Sequence, residues 1–245
     1  RLLAGKIKTK LVISQQNSLL YQANVEHRGD WLIKSQLWFA RWLYARVDGL
    51  VATTDAVLKE LFTELQVKLA PAKTTVIPNI VDIERIAVKA KAPSHHPWLM
   101  QKDRPVIISI GRLAKQKNFS LLIEAFNIVR RKLDARLIIL GKGTEQELLR
   151  SHITRLGLED SVSLPGFTTN PWQDLAKADL FALSSEEEAF GLVLVEAMAC
   201  EVPIVATDAI GNGPRSILNN GDYGCLVDNY DLNGFAAALE KALVD

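Results

Sequence analysis

Short apolar runs alternating with amphipathic stretches constrain this chain more than any other feature. Val106–Ile110, Arg136–Leu140 and Pro203–Thr207 are brief, rich in aliphatic side chains, and each gives way at once to a polar or glycine-bearing turn. Runs of that length and composition read as strands buried on both faces. Between them lie helix-length segments. Asn118, for example, opens one that sets Leu121, Leu122, Ala125, Phe126 and Val129 on a single face. Buried strands alternating with helices predict an α/β chain built on parallel, doubly wound sheets.

The same alternation extends in both directions. Leu11–Ser14, Asp48–Thr53 and Lys73–Ile77 read as strands in the front part, with Thr54 and Asp55 capping a helix that runs to about Leu65. Farther on, Ser161–Leu164, Ala178–Leu183 and Gly224–Val227 read as strands, with helices to about Leu156, near Pro171–Lys177 and from Asp231 onward. Gly211–Pro214 reads as a glycine-rich turn. Residues 86–104 carry two prolines, adjacent His95 and His96 and several lysines, and are expected to be a linker between a front domain, 1–85, and a second domain, 105–245. A helix from Trp31 to Arg46 mixes Trp31, Leu32, Trp38, Phe39, Trp42 and Tyr44 with Lys34, Arg41 and Arg46. It suits either a packed helix of the α/β layer or a contact with a membrane surface.

Composition narrows the partners. The chain has 245 residues, 48% hydrophobic and 23% charged, with a formal net charge of +1, so no global field draws it to nucleic acid. Cys200 and Cys225 have no metal-ligand spacing and are expected to be buried thiols in a reducing compartment. No apolar run reaches the ~18 residues of a membrane span.

In doubly wound sheets, ligands bind where strands end and loops lead into helices. The chemically notable residues fall in such loops: Gly111-Arg112, Gly141 to Gly143, Gly166-Phe167, Glu188 to Gly191 and Asp208 to Pro214. The corner Glu186-Glu187-Glu188-Ala189-Phe190-Gly191-Leu192 is the most suggestive. Gly191 opens a helix whose first N–H groups lack partners and carry partial positive charge, a cradle for phosphate. Glu188 before it and Glu196 in the helix offer acceptors for sugar hydroxyls. A solvated charge run is the plainer reading of the same residues. Gly141-Lys142-Gly143 lacks the third glycine of a dinucleotide fingerprint, since Gln146 stands there.

The stretch from Glu188 to Ala199 resembles the Glu-x7-Glu signature of the retaining, nucleotide-sugar-dependent glycosyltransferases of family 4, also called glycosyl transferases group 1, with Ala189 in place of a glycine. Gly111 to Asn118 resembles the family's G-R-L signature with its following lysine, and Pro78 to Asp82 a corner that ends the family's first domain, with Ile80 in place of glycine. Asp208 to Ile217 resembles a late family turn in which Ser216 replaces a glutamate, and Glu201 stands where glycine is usual. A histidine common after an early strand is replaced by Ser14-Gln15-Gln16-Asn17.

This resemblance implies two Rossmann-like lobes in the GT-B arrangement, the N-terminal lobe on the acceptor side and incomplete. It implies transfer of a hexose or N-acetylhexosamine from a nucleoside diphosphate sugar, with UDP or GDP as the nucleotide, to a glycan or lipid-linked acceptor in polysaccharide biosynthesis. Glu188, Arg112 and Lys117 are then the catalytic residues. Gly111, Gly166, Phe167, Phe190, Gly191, Leu192 and Glu196 bind the donor, although Phe167 suits a core position equally well. Neither a metal nor another cofactor is expected, because the chain has no Asp-x-Asp motif. The implied setting is the cytoplasm, at the inner membrane face. The alternatives are a sugar-nucleotide 2-epimerase and a non-catalytic nucleotide-sugar-binding module.

Overall fold

The computed structural model describes residues 9–21 and 31–244, without the side chains of 20, 31–34 and 36. Residues 6–8, and the side chains of Trp31, Leu32 and Lys34 in the aromatic-basic helix, lie outside that description. The chain divides into two units, 1–79 and 80–245.

In the first unit three parallel strands pair in the order β1 (Val12–Gln15), β2 (Gly49–Ala52), β3 (Thr74–Val76). Helices Trp31–Tyr44 and Asp55–Thr63 form the crossovers, and Tyr44, Val47, Leu50, Leu61 and Leu65 make the core. Thr54 caps the second helix, its hydroxyl accepting from the Val57 N–H at 3.3 Å. Tyr44 and Leu43 turn the long helix inward, whereas Trp38 is 70% exposed and Phe39 is also exposed. Phe39 stacks on Trp42, and the Arg46 guanidinium lies 4.1 Å from the Trp42 ring centroid. Gln15, in the stretch where the resembling family has its histidine, is buried and committed to structure. It accepts from the Tyr44 hydroxyl at 2.7 Å and donates to the Asn17 carbonyl at 2.6 Å.

The second unit is a six-stranded sheet in which every pairing is parallel. Its strands are β4 (Val106–Ile110), β5 (Arg136–Leu140), β6 (Val162–Gly166), β7 (Leu180–Leu183), β8 (Ile204–Thr207) and β9 (Cys225–Val227), in the order β6-β5-β4-β7-β8-β9. Alternate residues serve two cores. Ile107, Leu137, Ile139, Leu180, Ala182 and Val205 pack under helices Phe119–Arg130, Gln146–Leu156 and Leu232–Val244. Val106, Ile108, Ile138, Phe181, Leu183 and Ile204 pack on the other side with helix Leu192–Ala199. Burial of both faces is why these strands read as continuous apolar runs.

The stretch 86–104, read from sequence as a linker, lies wholly within the second unit. It contains most of helix Ile83–Ala90 and all of helix Pro97–Met100, and buries Leu99 in the second core. Ser94 donates to Asp174 at 2.6 Å and Lys177 to the Ala92 carbonyl at 2.8 Å. Prolines and lysines suggest a linker, but a few well-placed polar side chains dock the segment. The late turn also differs from expectation: Gly213–Ile217 is a short helix, with Pro214 in its first turn, where proline's missing N–H costs nothing. Glu201 adopts a left-handed φ of 59°, which accounts for the glycine usual there in the resembling family. Cys225 is exposed and Cys200 half-buried, correcting the expectation of two buried thiols; β9 lies at the sheet edge, where Cys225 at its start meets solvent.

His96 caps helix Pro97–Met100. Its Nδ1 accepts from the Trp98 N–H at 3.3 Å, so Nε2 carries the proton and meets the Ser163 hydroxyl at 3.0 Å. Burial lowers the imidazole pKa from its ordinary 6.5, Asp174 pulls it back up, and Arg136 lowers it further. The unfolded chain therefore takes up a proton near pH 6.5 that the folded protein refuses until lower pH. Stability contributed by neutral His96 is present above about pH 6.5 and is lost as pH falls below it. His96→Gln should flatten that part of the pH profile in urea unfolding; a profile unchanged by the substitution would contradict this account.

Candidate nucleotide-sugar site

β4 and β7 are neighbours whose onward connections run to opposite ends of the sheet. At such a switch point the loops beyond the two strands part and leave a crevice. The loop after β4 holds Gly111 to Asn118, and the loop after β7 holds Ser184 to Gly191.

The two loops are laced together. Ser184 donates to the Lys117 carbonyl at 2.9 Å, and the Glu186 N–H to the Gln116 carbonyl at 2.8 Å. The Gln116 amide donates to the Glu187 carbonyl at 3.1 Å and also meets the Glu187 carboxylate. Glu187 is only 2% exposed, so the acidic run is not a solvated face. Lys117 Nζ forms an ion pair with Glu188 Oε2, both side chains mostly shielded from solvent. From the other flank, the Glu188 N–H donates to Ile210 O at 2.8 Å and the Gly213 N–H to Glu188 O at 2.9 Å. A Cβ at Gly213 would stand 2.4 Å from Glu188 O, so only glycine permits this closure.

Phe190 and Gly191 lead into helix Leu192–Ala199, Gly191 as its cap at φ 90° and ψ 55°. Leu192 is exposed at the helix start. Glu196 is the fifth helical residue, little more than one turn from the corner. Burial pushes its carboxyl pKa above the usual range, and the neighbouring Trp172 indole pulls it back down. Burial also pushes the Cys200 thiol up to about 11, with Glu196 adding to the effect.

Beside this corner lies an apolar cavity of about 430 Å³, lined by Ile110, Gly111, Arg112, Leu140, Gly141 and Lys142 with Phe167, Thr168 and Pro171. It sits beyond the carboxyl ends of β4, β5 and β6. Phe167 is 67% exposed at the wall, which removes the core-packing reading of that side chain. Gly166 takes φ 94°, and the Lys142 side chain passes 3.6 Å from where its Cβ would be.

The structure thus places Gly111, Arg112 and Phe167 around the cavity, with Gly166 next to Phe167. Lys117, Glu188, Phe190, Gly191, Leu192 and Glu196 belong to the adjoining corner. Sequence reasoning singled out the Gly141 to Gly143 turn that carries Lys142, but missed Thr168 and Pro171 as walls. It also missed Gln116, whose partner lies 71 positions away. Among the described residues, no three His, Cys, Asp or Glu side chains form a group that could hold a metal ion.

An all-parallel sheet in this strand order, with cations, carboxylates and a helix start at its switch point, defines an α/β domain of the kind found in GT-B glycosyltransferases. The chain belongs to the glycosyl transferases group 1 family, whose model matches residues 91–245. It is 33% identical over 240 residues to N-acetylgalactosamine-N,N'-diacetylbacillosaminyl-diphospho-undecaprenol 4-alpha-N-acetylgalactosaminyltransferase of Campylobacter jejuni, covering 97% of this chain and 61% of that one. It is 34% identical over 170 residues to the lipopolysaccharide core biosynthesis glycosyltransferase LpsE of Rhizobium meliloti, covering 69% and 47%. The crystal structure of Anabaena HepE in complex with UDP and glucose superposes with a TM-score of 0.79 at 26% identity, covering 97% of this chain and 63% of that chain. The chain therefore spans less than two thirds of the length of each of these proteins.

Proposed function

We propose that the protein is a retaining family 4 glycosyltransferase that moves a hexose or N-acetylhexosamine from a nucleoside diphosphate sugar to a glycan or lipid-linked acceptor. The observation that carries this reading is the Lys117–Glu188 ion pair at the β4/β7 switch point, beside an apolar cavity with Arg112 in its wall. The cavity takes the flat base, and Glu196 accepts from the ribose hydroxyls. Glu188 accepts from the hydroxyls of the sugar being transferred, and Arg112 and Lys117 hold the diphosphate.

In the reaction, the bond from the anomeric carbon to the β-phosphate oxygen breaks and leaves its electron pair on that oxygen. The acceptor hydroxyl oxygen bonds to the anomeric carbon from the same face, and its proton passes to the departing diphosphate. Negative charge grows on the phosphate as the bond lengthens, so the guanidinium and ammonium stabilise the transition state more than the bound donor. In this reading those two cations carry the leaving-group charge without a metal ion.

UDP in the HepE complex and the acceptors named in the two relatives favour a UDP-linked donor and a cell-envelope saccharide. Trp38, Phe39, Trp42, Arg41 and Arg46 provide an aromatic-basic face that suits peripheral contact with the inner membrane surface from the cytoplasm. No helix among the described residues is long and apolar enough to cross a membrane.

The test is to incubate the protein with α-linked UDP-glucose and UDP-N-acetylhexosamines, with envelope glycolipid fractions as acceptors and with EDTA present. UDP release and an α-linked product, read by NMR, are expected. A β-linked product would overturn retention, and transfer abolished by EDTA would overturn the role given to the two cations.

A further inference from the structure

Trp172 opens the short helix Trp172–Leu175 that follows β6, and its indole N–H is buried with no partner at hydrogen-bond geometry. Buried N–H groups in folded proteins rarely stay unpaired, so this one calls for a partner. The atom is too enclosed to meet a ligand itself. Its helix packs against helix Leu192–Ala199, and the carboxyl beside the indole is that of Glu196, whose ionisation the N–H favours while burial opposes it.

Two further contacts prepare the indole for that role. The Lys89 ammonium stands 5.5 Å from the ring centroid of Trp172. A cation over an indole face draws electron density from the ring and makes its N–H a stronger donor. The Lys89 backbone is tied to the same region, because its carbonyl accepts from the Asn170 amide at 3.1 Å, and that amide also donates to Gln173. The indole thus has the Lys89 ammonium on one side and the Glu196 carboxyl as its neighbour.

We propose that Trp172 is a positioning residue of the donor site: with nucleotide bound, its indole N–H donates to the Glu196 carboxylate and aims it at the ribose hydroxyls. The inference rests on the reading of Glu196 as the ribose-binding carboxylate. Cys200, four residues on from Glu196 along its own helix, has its thiol pushed up to about 11 and stays neutral. Lys89 approaches from helix Ile83–Ala90, and Asp174, two residues beyond Trp172, is occupied by the Ser94 hydroxyl.

The test is UDP binding across pH, by calorimetry, for the wild type, Trp172→Phe, Glu196→Gln and the double variant. Phenylalanine keeps most of the ring and removes only the donor. Trp172→Phe should weaken UDP roughly tenfold, the loss expected for one hydrogen bond to a charged group. Because the N–H lowers the Glu196 pKa, its removal should move the fall in affinity on acidification to higher pH. Glu196→Gln should weaken binding and abolish this pH dependence, and the double variant should be no weaker than Glu196→Gln alone.

The outcomes separate the two claims. Glu196→Gln binding UDP as tightly as the wild type would overturn the ribose reading itself. A weakened Glu196→Gln with an additive, pH-independent Trp172→Phe would leave that reading standing and overturn the positioning role. Should Trp172→Phe fail to fold, the wild type still decides. The Trp172 indole proton resonance should titrate with Glu196 in the UDP complex, and a resonance unmoved by pH would overturn the proposal.

Discussion

Lys117→Ala is expected to lower sugar-transfer turnover roughly 10²- to 10³-fold, the loss typical of one oriented charge-stabilising group. The effect should fall mainly on kcat, because the ammonium gains most as the diphosphate departs. In the resting protein Lys117 Nζ is engaged by Glu188, so a donor phosphate joins an existing pair rather than a free cation. The substitution also leaves Glu188 shielded and without its counter-charge, so part of the loss could come from a displaced carboxylate. Lys117→Arg separates the causes: it keeps the charge near Glu188 while moving the donor geometry, and should recover part of kcat. Arg112→Ala should behave like Lys117→Ala, without the secondary effect, since Arg112 is exposed and pairs with no carboxylate among the described residues. Steady-state kinetics with whichever UDP-sugar the wild type turns over provides the check. A rise in KM with kcat unchanged in both variants would mean that the two cations bind only the ground-state donor.

Gly141→Ala should destabilise the second unit by roughly 3 kcal/mol or more. A Cβ there would lie 1.8 Å from the Gly111 carbonyl oxygen and 2.9 Å from its carbon, at a φ of 150° that side chains rarely adopt. Neither loop can easily retreat. The Gly111 N–H donates to Leu140 O at 3.0 Å, and the Gly141 N–H to Gly166 O at 2.9 Å, so the ends of β4, β5 and β6 form one knit layer under the cavity. Gly157→Ala is the fitting control. Its φ is 66° and nothing lies within 4 Å of the added carbon, so only the left-handed backbone cost of about 1 kcal/mol applies. Urea unfolding of both variants measures the contrast. Equal costs would show that the approach of Gly141 to Gly111 is not what the fold depends on.

The β4 and β5 boundaries were legible in full, because Val106–Ile110 and Arg136–Leu140 are apolar runs with abrupt polar ends. Asn118 was legible as a helix start, and it caps helix Phe119–Arg130 by accepting from the Leu121 N–H. The site was legible as a set of loops, since glycines and charges cluster where strands end. Its pairings were not. Gln116 with Glu187 and Lys117 with Glu188 join across 71 positions, and nothing local records which of three consecutive glutamates turns inward. Trp172 was unreadable for a similar reason: an aromatic residue after a proline carries no sign of the carboxylate that tertiary packing sets before it. The 86–104 segment misled because its composition is that of a loop, while its order comes from bonds to Asp174, Ser163 and Asp179 in distant parts of the sequence.

The walls of the 430 Å³ cavity are largely apolar, yet Arg112 and Lys142 stand among them. Affinity for a nucleotide should therefore divide into two parts that respond differently to ionic strength. Attraction between exposed cations and a diphosphate is screened over a Debye length of about 8 Å at physiological salt, whereas burial of a base against Ile110, Leu140 and Pro171 is not. Added salt should narrow the gap between a nucleoside diphosphate and its bare nucleoside, leaving the nucleoside's own dissociation constant nearly unchanged. A released diphosphate would in turn leave more readily in a salt-rich medium.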